Sequence, residues 1–189
     1  PETQARLQKE LDTLFAHDNS EQRPTYADIM ALEYLDAVVK ESLRLHAPAL
    51  VARFNLSEIT LKKGTVEYKI PKHTRLFFLP SQTGRGHGSQ EQQQQYYKMD
   101  DFRPERFLKD SHTTTKDTAE AYWVPFSIGP RDCVGKPLAM TELKVFLAYI
   151  LHRYTVHKTA HFTEPIKLLL VTVKPHELLL DFKLRHPGN

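Results

Sequence analysis

The stretch FSIGPRDCVG, Phe126 to Gly135, holds the chain's only cysteine between two glycines, with an arginine and a proline beside it and a long apolar segment after it. That frame constrains local structure more than any other part of the chain. Pro137 and the apolar residues beyond it predict a helix over 136–151, so Cys133 falls just before a helix start, where free backbone N–H groups and the helix dipole favour negative charge. A cysteine that ligates or attacks does so as a thiolate. Gly135 takes a side chain out of the first turn, so that backbone amides or a flat ligand can approach the sulfur, and Gly129 permits a tight or left-handed turn. Arg131 would supply positive charge to a thiolate or to an acidic ligand group, and Phe126 would shield the sulfur from water.

One cysteine excludes an intrachain disulfide and suits a reducing compartment. A structural zinc site wants about four Cys, His or acidic ligands, and the ten histidines are scattered. His157 and His161 are four apart, but the intervening residues lack a metalloprotease glutamate, and the pair is expected on a solvated loop. Two readings stay open at this level. One is an ordinary buried cysteine acting as a small hydrophobe. The other is a Cys–His nucleophile whose partner lies elsewhere in the chain. A glycine-lined, arginine-flanked thiolate fits a large planar metal cofactor better, haem with a cysteine axial ligand being the obvious case.

At 189 residues the chain is long enough for one domain with a real core. Its net charge of +3 is spread along the sequence rather than gathered into a stripe, which argues against a nucleic-acid reader. The longest clean apolar run, 145–151, is far short of the ~20 residues of a membrane span. The chain opens directly in an amphipathic segment without an initiator Met, so a piece of a longer protein is expected.

Leu7, Leu11, Leu14 and Phe15 at helical spacing predict an amphipathic helix over 2–15. Thr25 and Asp28 form a capping-box pattern, and Ile29, Leu32, Leu35, Val39 and Leu43 continue it as one helix over 25–46 that stops before Pro48. The region 50–80 reads as sheet: Val66, Tyr68 and Ile70 alternate with polar residues, and 75–79 reads as a short buried strand. The glycines at 84, 86 and 88 lack the spacing of a dinucleotide fingerprint. Two low-complexity stretches, one rich in Gly and Gln and one rich in Thr, read as loops; the second leads to Trp123. The helix over 136–151 is apolar nearly all round, which predicts burial. The terminal segment 166–185 reads as a hairpin of two strands turning at Lys174–His176.

ESLR, 41–44, places Glu41 and Arg44 on one helix face, next to Leu43 and Leu45. A charge pair partly buried there needs further partners, which Arg103 and Arg106 of FRPERF, 102–107, would offer. These two motifs and FSIGPRDCVG, in this order, resemble the cytochrome P450 haem-thiolate monooxygenases; the last matches the family pattern F-x-x-G-x-R-x-C-x-G at every fixed position. The resemblance spans almost the whole chain and is nearest to the carboxyl-terminal part of the eukaryotic microsomal branch. It implies a mainly α fold with small β-sheets (α+β), the haem-binding part of a single domain over 1–189 whose N-terminal half is absent.

The resemblance further implies a set of roles. Cys133 would be the proximal ligand of haem iron. Arg131 and Arg53, and less directly Arg85, would pair with haem propionates. Phe126 would pack near the sulfur, Gly129 and Gly135 would shape the loop, and Ala139 would face the haem. Glu41, Arg44 and Arg106 would form an internal charge triad. Ala49, Leu50 and Val51, with Val171 and Thr172, would approach the substrate pocket. The implied parent takes electrons from NADPH through a flavin-containing reductase, drawn in by Lys136, Lys144 and Arg131. It inserts one atom of molecular oxygen into a small apolar substrate, at the endoplasmic-reticulum membrane with its catalytic domain facing the cytosol. The segment before FRPERF departs from the family's aromatic-rich, Asp-Pro-containing turn. The distal acid–alcohol pair falls outside the chain, so no catalytic residue is assigned within it. The alternative is a truncated, non-catalytic product that binds haem weakly or not at all. A peroxide-rearranging member of the family is disfavoured by the regular cysteine loop.

Overall fold

The computed structural model describes residues 1–16, 23–85, 99–108, 123–169 and 172–185. Helix α1 (Glu2–Phe15) forms where the apolar spacing predicts it. Leu7, Leu11 and Phe15 are buried on its inner face. The capping box is present, with the Thr25 hydroxyl accepting from the Asp28 N–H and the Asp28 carboxylate accepting from the Thr25 N–H at 2.8 Å. The helix it starts is short, however. The expected single helix over 25–46 divides into α2 (Tyr26–Met30) and α3 (Glu33–His46), with Leu32 extended between them. Neither glycine nor proline causes the break. The carboxylate of Glu10 on α1 accepts from the N–H groups of Tyr34 and Leu35, both at 2.9 Å. It thus satisfies donors at the start of α3 that a continuous helix would have paired internally.

Four strands follow α3. β1 (Val51–Phe54) pairs antiparallel with β4 (Arg75–Phe78), and between them β2 (Ile59–Lys63) pairs with β3 (Val66–Ile70). The expected burial of the 75–79 stretch is not found: Phe77, Phe78 and Leu79 are exposed. A two-stranded ladder has no second layer over its outer face, so its apolar residues stay open. A one-turn helix α4 (Pro80–Thr83) leads to Gly84, and the FRPERF motif holds a 3₁₀ turn at Pro104–Phe107.

Helix α5 (Lys136–Arg153) runs two residues beyond its expected end. Its burial is one-sided rather than all round. Lys144, Ala148 and Leu151, at i, i+4 and i+7, are buried, and Ala148 and Leu151 pack with Leu7, Leu11, Leu35 and Val38 of α1 and α3. Leu138 and Phe146 are about two-thirds exposed, at 63% and 66%. Lys144 is buried because its ammonium meets Asp36 of α3 at 2.5 Å, while Lys40 meets the same carboxylate at 2.8 Å. The expectation that Lys144 helps attract an acidic partner is therefore corrected: its charge is spent inside the fold.

The end of the chain also differs from the expected hairpin. β6 (Ile166–Leu169) pairs with β7 (Val173–His176), so Lys174–His176 lies in a strand and is not the turn. Pro175 is tolerated there because each strand of a two-stranded ladder is an edge. β8 (Leu180–Leu184) pairs with β5 (Tyr154–Lys158). His157 thus lies in a strand, contrary to the expected loop, and among the described residues no group of three or more His, Cys, Asp or Glu side chains could hold a metal. The Arg185 guanidinium, just past β8, donates to the Asp12 carboxylate at 2.7 and 2.9 Å and to the carbonyls of Leu151 and His152. It joins α1 to the C-terminal end of α5.

Glu41 and Arg44 are fully buried in α3. The Arg44 Nε and Nη2 groups donate to the two Glu41 oxygens at 2.7 and 2.8 Å. Its remaining N–H groups donate to the carbonyls of Gly84 and Met99 at 2.9 and 2.7 Å, and of Asp101 at 3.3 Å. Glu41 also accepts the Arg103 backbone N–H at 2.7 Å and lies 3.4 Å from the Arg106 guanidinium. Arg103 therefore contributes its main chain and Arg106 its charge. Burial, then repulsion from Arg44 and Arg103, outweighs the pull of Glu41 and holds Arg106 below its ordinary value. Gly84 is required by close approach: a β-carbon there would lie 2.6 Å from the Arg44 carbonyl oxygen.

Two outcomes follow, each read by chemical denaturation of the full-length protein. Glu41→Gln leaves the Arg44 charge buried and short of its counterion, with an expected loss of about 3–5 kcal/mol; Gly84→Ala forces a shift of the helix carbonyl, with an expected loss of about 1–3 kcal/mol. A midpoint unchanged by both would contradict the reading of the cluster. The second outcome concerns acid. Burial pushes the Asp36 carboxyl up, but Lys144 and Lys40 outweigh it, and its value is lowered. A folded-state value below that of the unfolded chain gives stability that is present above about pH 4 and is lost as pH falls through the folded value. Asp36→Asn should lower stability at neutral pH and flatten the acid limb of the stability curve.

Candidate functional site

The cysteine loop is built from short-range backbone bonds. The Cys133 N–H donates to the Phe126 carbonyl at 2.9 Å, the Asp132 N–H to Gly129 at 3.1 Å, and the Lys136 N–H to the Cys133 carbonyl at 3.2 Å. Gly129 has φ +81°, the left-handed turn that glycine allows without strain, and Ser127 shares the region at φ 64°. Gly135 caps the N-terminal end of α5. A β-carbon on Gly135 would sit 3.8 Å from the Cys133 sulfur, at van der Waals distance.

Cys133 is a free, exposed thiol. The reading as a buried small hydrophobe is thereby excluded. Phe126 is half-buried and serves the cysteine through its main-chain carbonyl. The sulfur opens onto a cleft of about 630 Å³, within the ~300–1,000 Å³ range of small-molecule and cofactor sites. β1 and the residues before it form one wall, with Ala49, Leu50, Val51 and Arg53. The cysteine loop contributes Phe126 and Arg131, and α5 contributes Ala139, Leu143 and Phe146.

Tertiary contacts hold that first wall in place. The Val173 N–H donates to the Pro48 carbonyl at 2.6 Å, and Thr172 bridges to Ala49. Val171 lies outside the described residues. Arg53 and Arg131 are both exposed at the cleft. An Arg53 N–H reaches the Arg131 carbonyl at 3.4 Å. Neither arginine has an acidic partner among the described residues. Two guanidinium groups without an acidic partner among the described residues, beside a mostly apolar cleft, suit a ligand that bears carboxylates on an apolar body.

Arg85 does not join them. Its guanidinium is taken by Asp100 at 2.8 Å and by the Ser81 carbonyl at 2.7 Å, so the expected third anionic contact is corrected. Glu41, Arg44 and Arg106 lie away from the cleft and shape it from behind through α3. The sequence reading missed Leu143 and Phe146, although Ala139, Leu143 and Phe146 fall at i, i+4 and i+7 on one helix face. It also assigned nothing to Trp123, whose indole N–H donates to the Lys40 carbonyl at 2.9 Å. No local sequence signal predicts that bond, because the acceptor is a main-chain carbonyl of α3.

Comparison with known proteins agrees with this geometry. The sequence model described as "Cytochrome P450" matches residues 1–181. A putative cytochrome P450, cyp-13B1, from Caenorhabditis elegans is 34% identical over 98% of this chain and 33% of its own length. A bifunctional cytochrome P450/NADPH–P450 reductase from Gibberella moniliformis is 30% identical over 98% of this chain and 15% of its own. Among solved structures, a cytochrome P450DA heme domain superposes with a TM-score of 0.80 at 24% identity, over 99% of this chain and 38% of that one. The chain spans about a third of the length of the first of these relatives. With the motif order, the buried glutamate–arginine cluster and the exposed cysteine at a helix start, the match over nearly the whole sequence places this chain in the cytochrome P450 family.

Proposed function

We propose that this chain is the haem-ligating part of a monooxygenase, with Cys133 as the proximal ligand of the iron. The observation that carries the reading is the exposed Cys133 thiol at the start of an 18-residue helix, on an apolar cleft flanked by Arg53 and Arg131. Haem held there by Cys133 would supply oxygen activation, which a thiolate ligand favours. The chain's own residues supply placement and electrostatics. Arg53 and Arg131 would take the propionates. Ala139, Leu143 and Phe146 would exclude water from one side of the macrocycle, and Gly135 leaves the sulfur open. Ala49, Leu50 and Val51 border the same cleft, which fits a small apolar substrate. The wall is fixed by the bonds to residues 172 and 173, not by the sequence of 49–51 alone.

The electron supply belongs to the same proposal. Lys136 is exposed close to Cys133 and would attract an acidic flavin reductase that draws on NADPH; the fusion relative, whose name joins a cytochrome P450 to a reductase, supports such a partner. We place the parent at the endoplasmic-reticulum membrane on the resemblance to the microsomal branch. Among the described residues no helix is long and apolar enough to cross a membrane. A second reading, a product that holds haem weakly on its own, is favoured by one observation: Leu138 and Ile150 of α5, which do not line the cleft, are exposed in this chain.

In the full-length protein, Cys133→Ser should abolish the red-shifted absorption of the reduced carbon monoxide complex, and an unchanged spectrum would sink the ligand assignment. Arg131→Leu should weaken hemin binding about ten-fold or more, the worth of a charge-assisted hydrogen bond. Hemin titration of the 189-residue chain separates the two readings. Tight stoichiometric binding with a thiolate-type spectrum rules out the weak-binding product.

A further inference from the structure

Besides the 3.4 Å contact from Arg53 of β1 to the Arg131 carbonyl, the cysteine loop is flanked among the described residues by two ties that end on α3. Downstream, the Lys144 ammonium of α5 meets Asp36. Upstream, the indole N–H of Trp123 donates to the Lys40 carbonyl at 2.9 Å. Asp36 and Lys40 are one helical turn apart and are themselves joined by the Lys40 ammonium. The downstream tie is eleven residues beyond Cys133 along a rigid helix. The upstream tie is ten residues before it, along irregular backbone that has no ladder to hold it.

From Trp123 the contact path to the sulfur is short. The indole meets the Phe126 ring edge-on, with centroids 6.0 Å apart and planes at 64°. The Phe126 carbonyl accepts the Cys133 N–H at 2.9 Å. The Lys136 ammonium, on the first residue of α5, lies over the indole at 5.2 Å, a cation–π distance. One side chain therefore touches α3, the residue that hydrogen-bonds Cys133, and the first turn of the helix that follows it.

We propose that Trp123 is the positioning residue for Cys133: its bond to the Lys40 carbonyl fixes the Phe126 carbonyl, and so the Cys133 backbone, in the position from which the thiolate would hold the haem iron. This inference rests on the haem-thiolate reading for its spectroscopic consequence and not for its geometry. Without the indole N–H, the half-buried carbonyl of Lys40 loses a partner and the loop before Phe126 is free to lift. Cys133 would then hold the iron less firmly. A side chain that merely fills space would do the same work as phenylalanine, so Trp123→Phe separates the two, keeping the ring and removing the donor.

The test uses the full-length protein with haem bound, reduced under carbon monoxide. The readout is the ratio of the unshifted to the red-shifted band, together with hydrogen exchange at the Cys133 amide. Trp123→Phe is expected to raise the band ratio and the exchange rate about five-fold each, the weight of one neutral hydrogen bond, and Trp123→Leu to raise both further. Ile29→Val, in the core away from the loop, should lower the denaturation midpoint and leave band ratio and exchange unchanged. If Trp123→Leu fails to fold, Trp123→Phe alone decides. Wild-type ratio and exchange in Trp123→Phe, or an equal change in Ile29→Val, overturn the proposal. If the wild-type protein itself lacks the red-shifted band, the haem-thiolate reading falls. Exchange at Cys133 in the haem-free protein then still decides the tie: faster exchange in Trp123→Phe supports it, and wild-type exchange overturns it.

Discussion

A guanidinium group without contact to water is tolerated only when every donor is met, and Arg44 meets that condition. Its five N–H groups are divided between one carboxylate and three main-chain carbonyls. Two of those carbonyls, Gly84 and Met99, belong to segments 40 and 55 residues away in sequence. The pair with Glu41 therefore does more than neutralise charge. It fixes irregular backbone that has no ladder of its own, and Glu41 adds the FRPERF segment through the Arg103 N–H. A lysine in place of Arg44 would carry the charge and could not fill the fork.

α3 is the spine on which this rests. Its inner face meets α1 and α5 through Leu35, Val38 and Val39. Its C-terminal half carries Glu41 and Arg44, and the turn before them carries Asp36 and Lys40. The cysteine loop hangs from this turn, so the charge cluster and the loop share one rigid element. α5 divides its faces accordingly: Lys144, Ala148 and Leu151 lie against the core, and Ala139, Leu143 and Phe146 line the cleft. The apolar pattern of α5 counts both faces as hydrophobic. Only the fold distinguishes the side packed on protein from the side left for a ligand.

Several elements were legible from local chemistry. The 3.6-residue spacing of Leu7, Leu11 and Phe15 located α1, and Thr25 with Asp28 located the capping box. Pro48 marked the end of α3, and the glycines of the cysteine loop marked its turn. The departures share a cause in long-range partners. α3 begins at Glu33 because Glu10, 24 residues before Tyr34, accepts from the Tyr34 N–H. The KPH stretch is a strand because Lys167 and Leu168 lie opposite it. β5 exists because β8 returns to pair with it, although the aromatic and β-branched residues Tyr154, Thr155 and Val156 carried the signal. Lys144 reads as a surface charge until Asp36 is placed beside it.

By itself, the sequence determined the chemistry of the site: a lone cysteine before a helix start, glycines where no side chain fits, and arginines within reach. Those are local properties, set by residue type and by spacing of a few positions. The tertiary structure decided which charges remain available. It buried Lys144 and Arg44, engaged Arg85 with Asp100, and left Arg53 and Arg131 together at the cleft with no acidic partner among the described residues. Availability depends on what lies across the fold, and one-dimensional spacing carries no information about that.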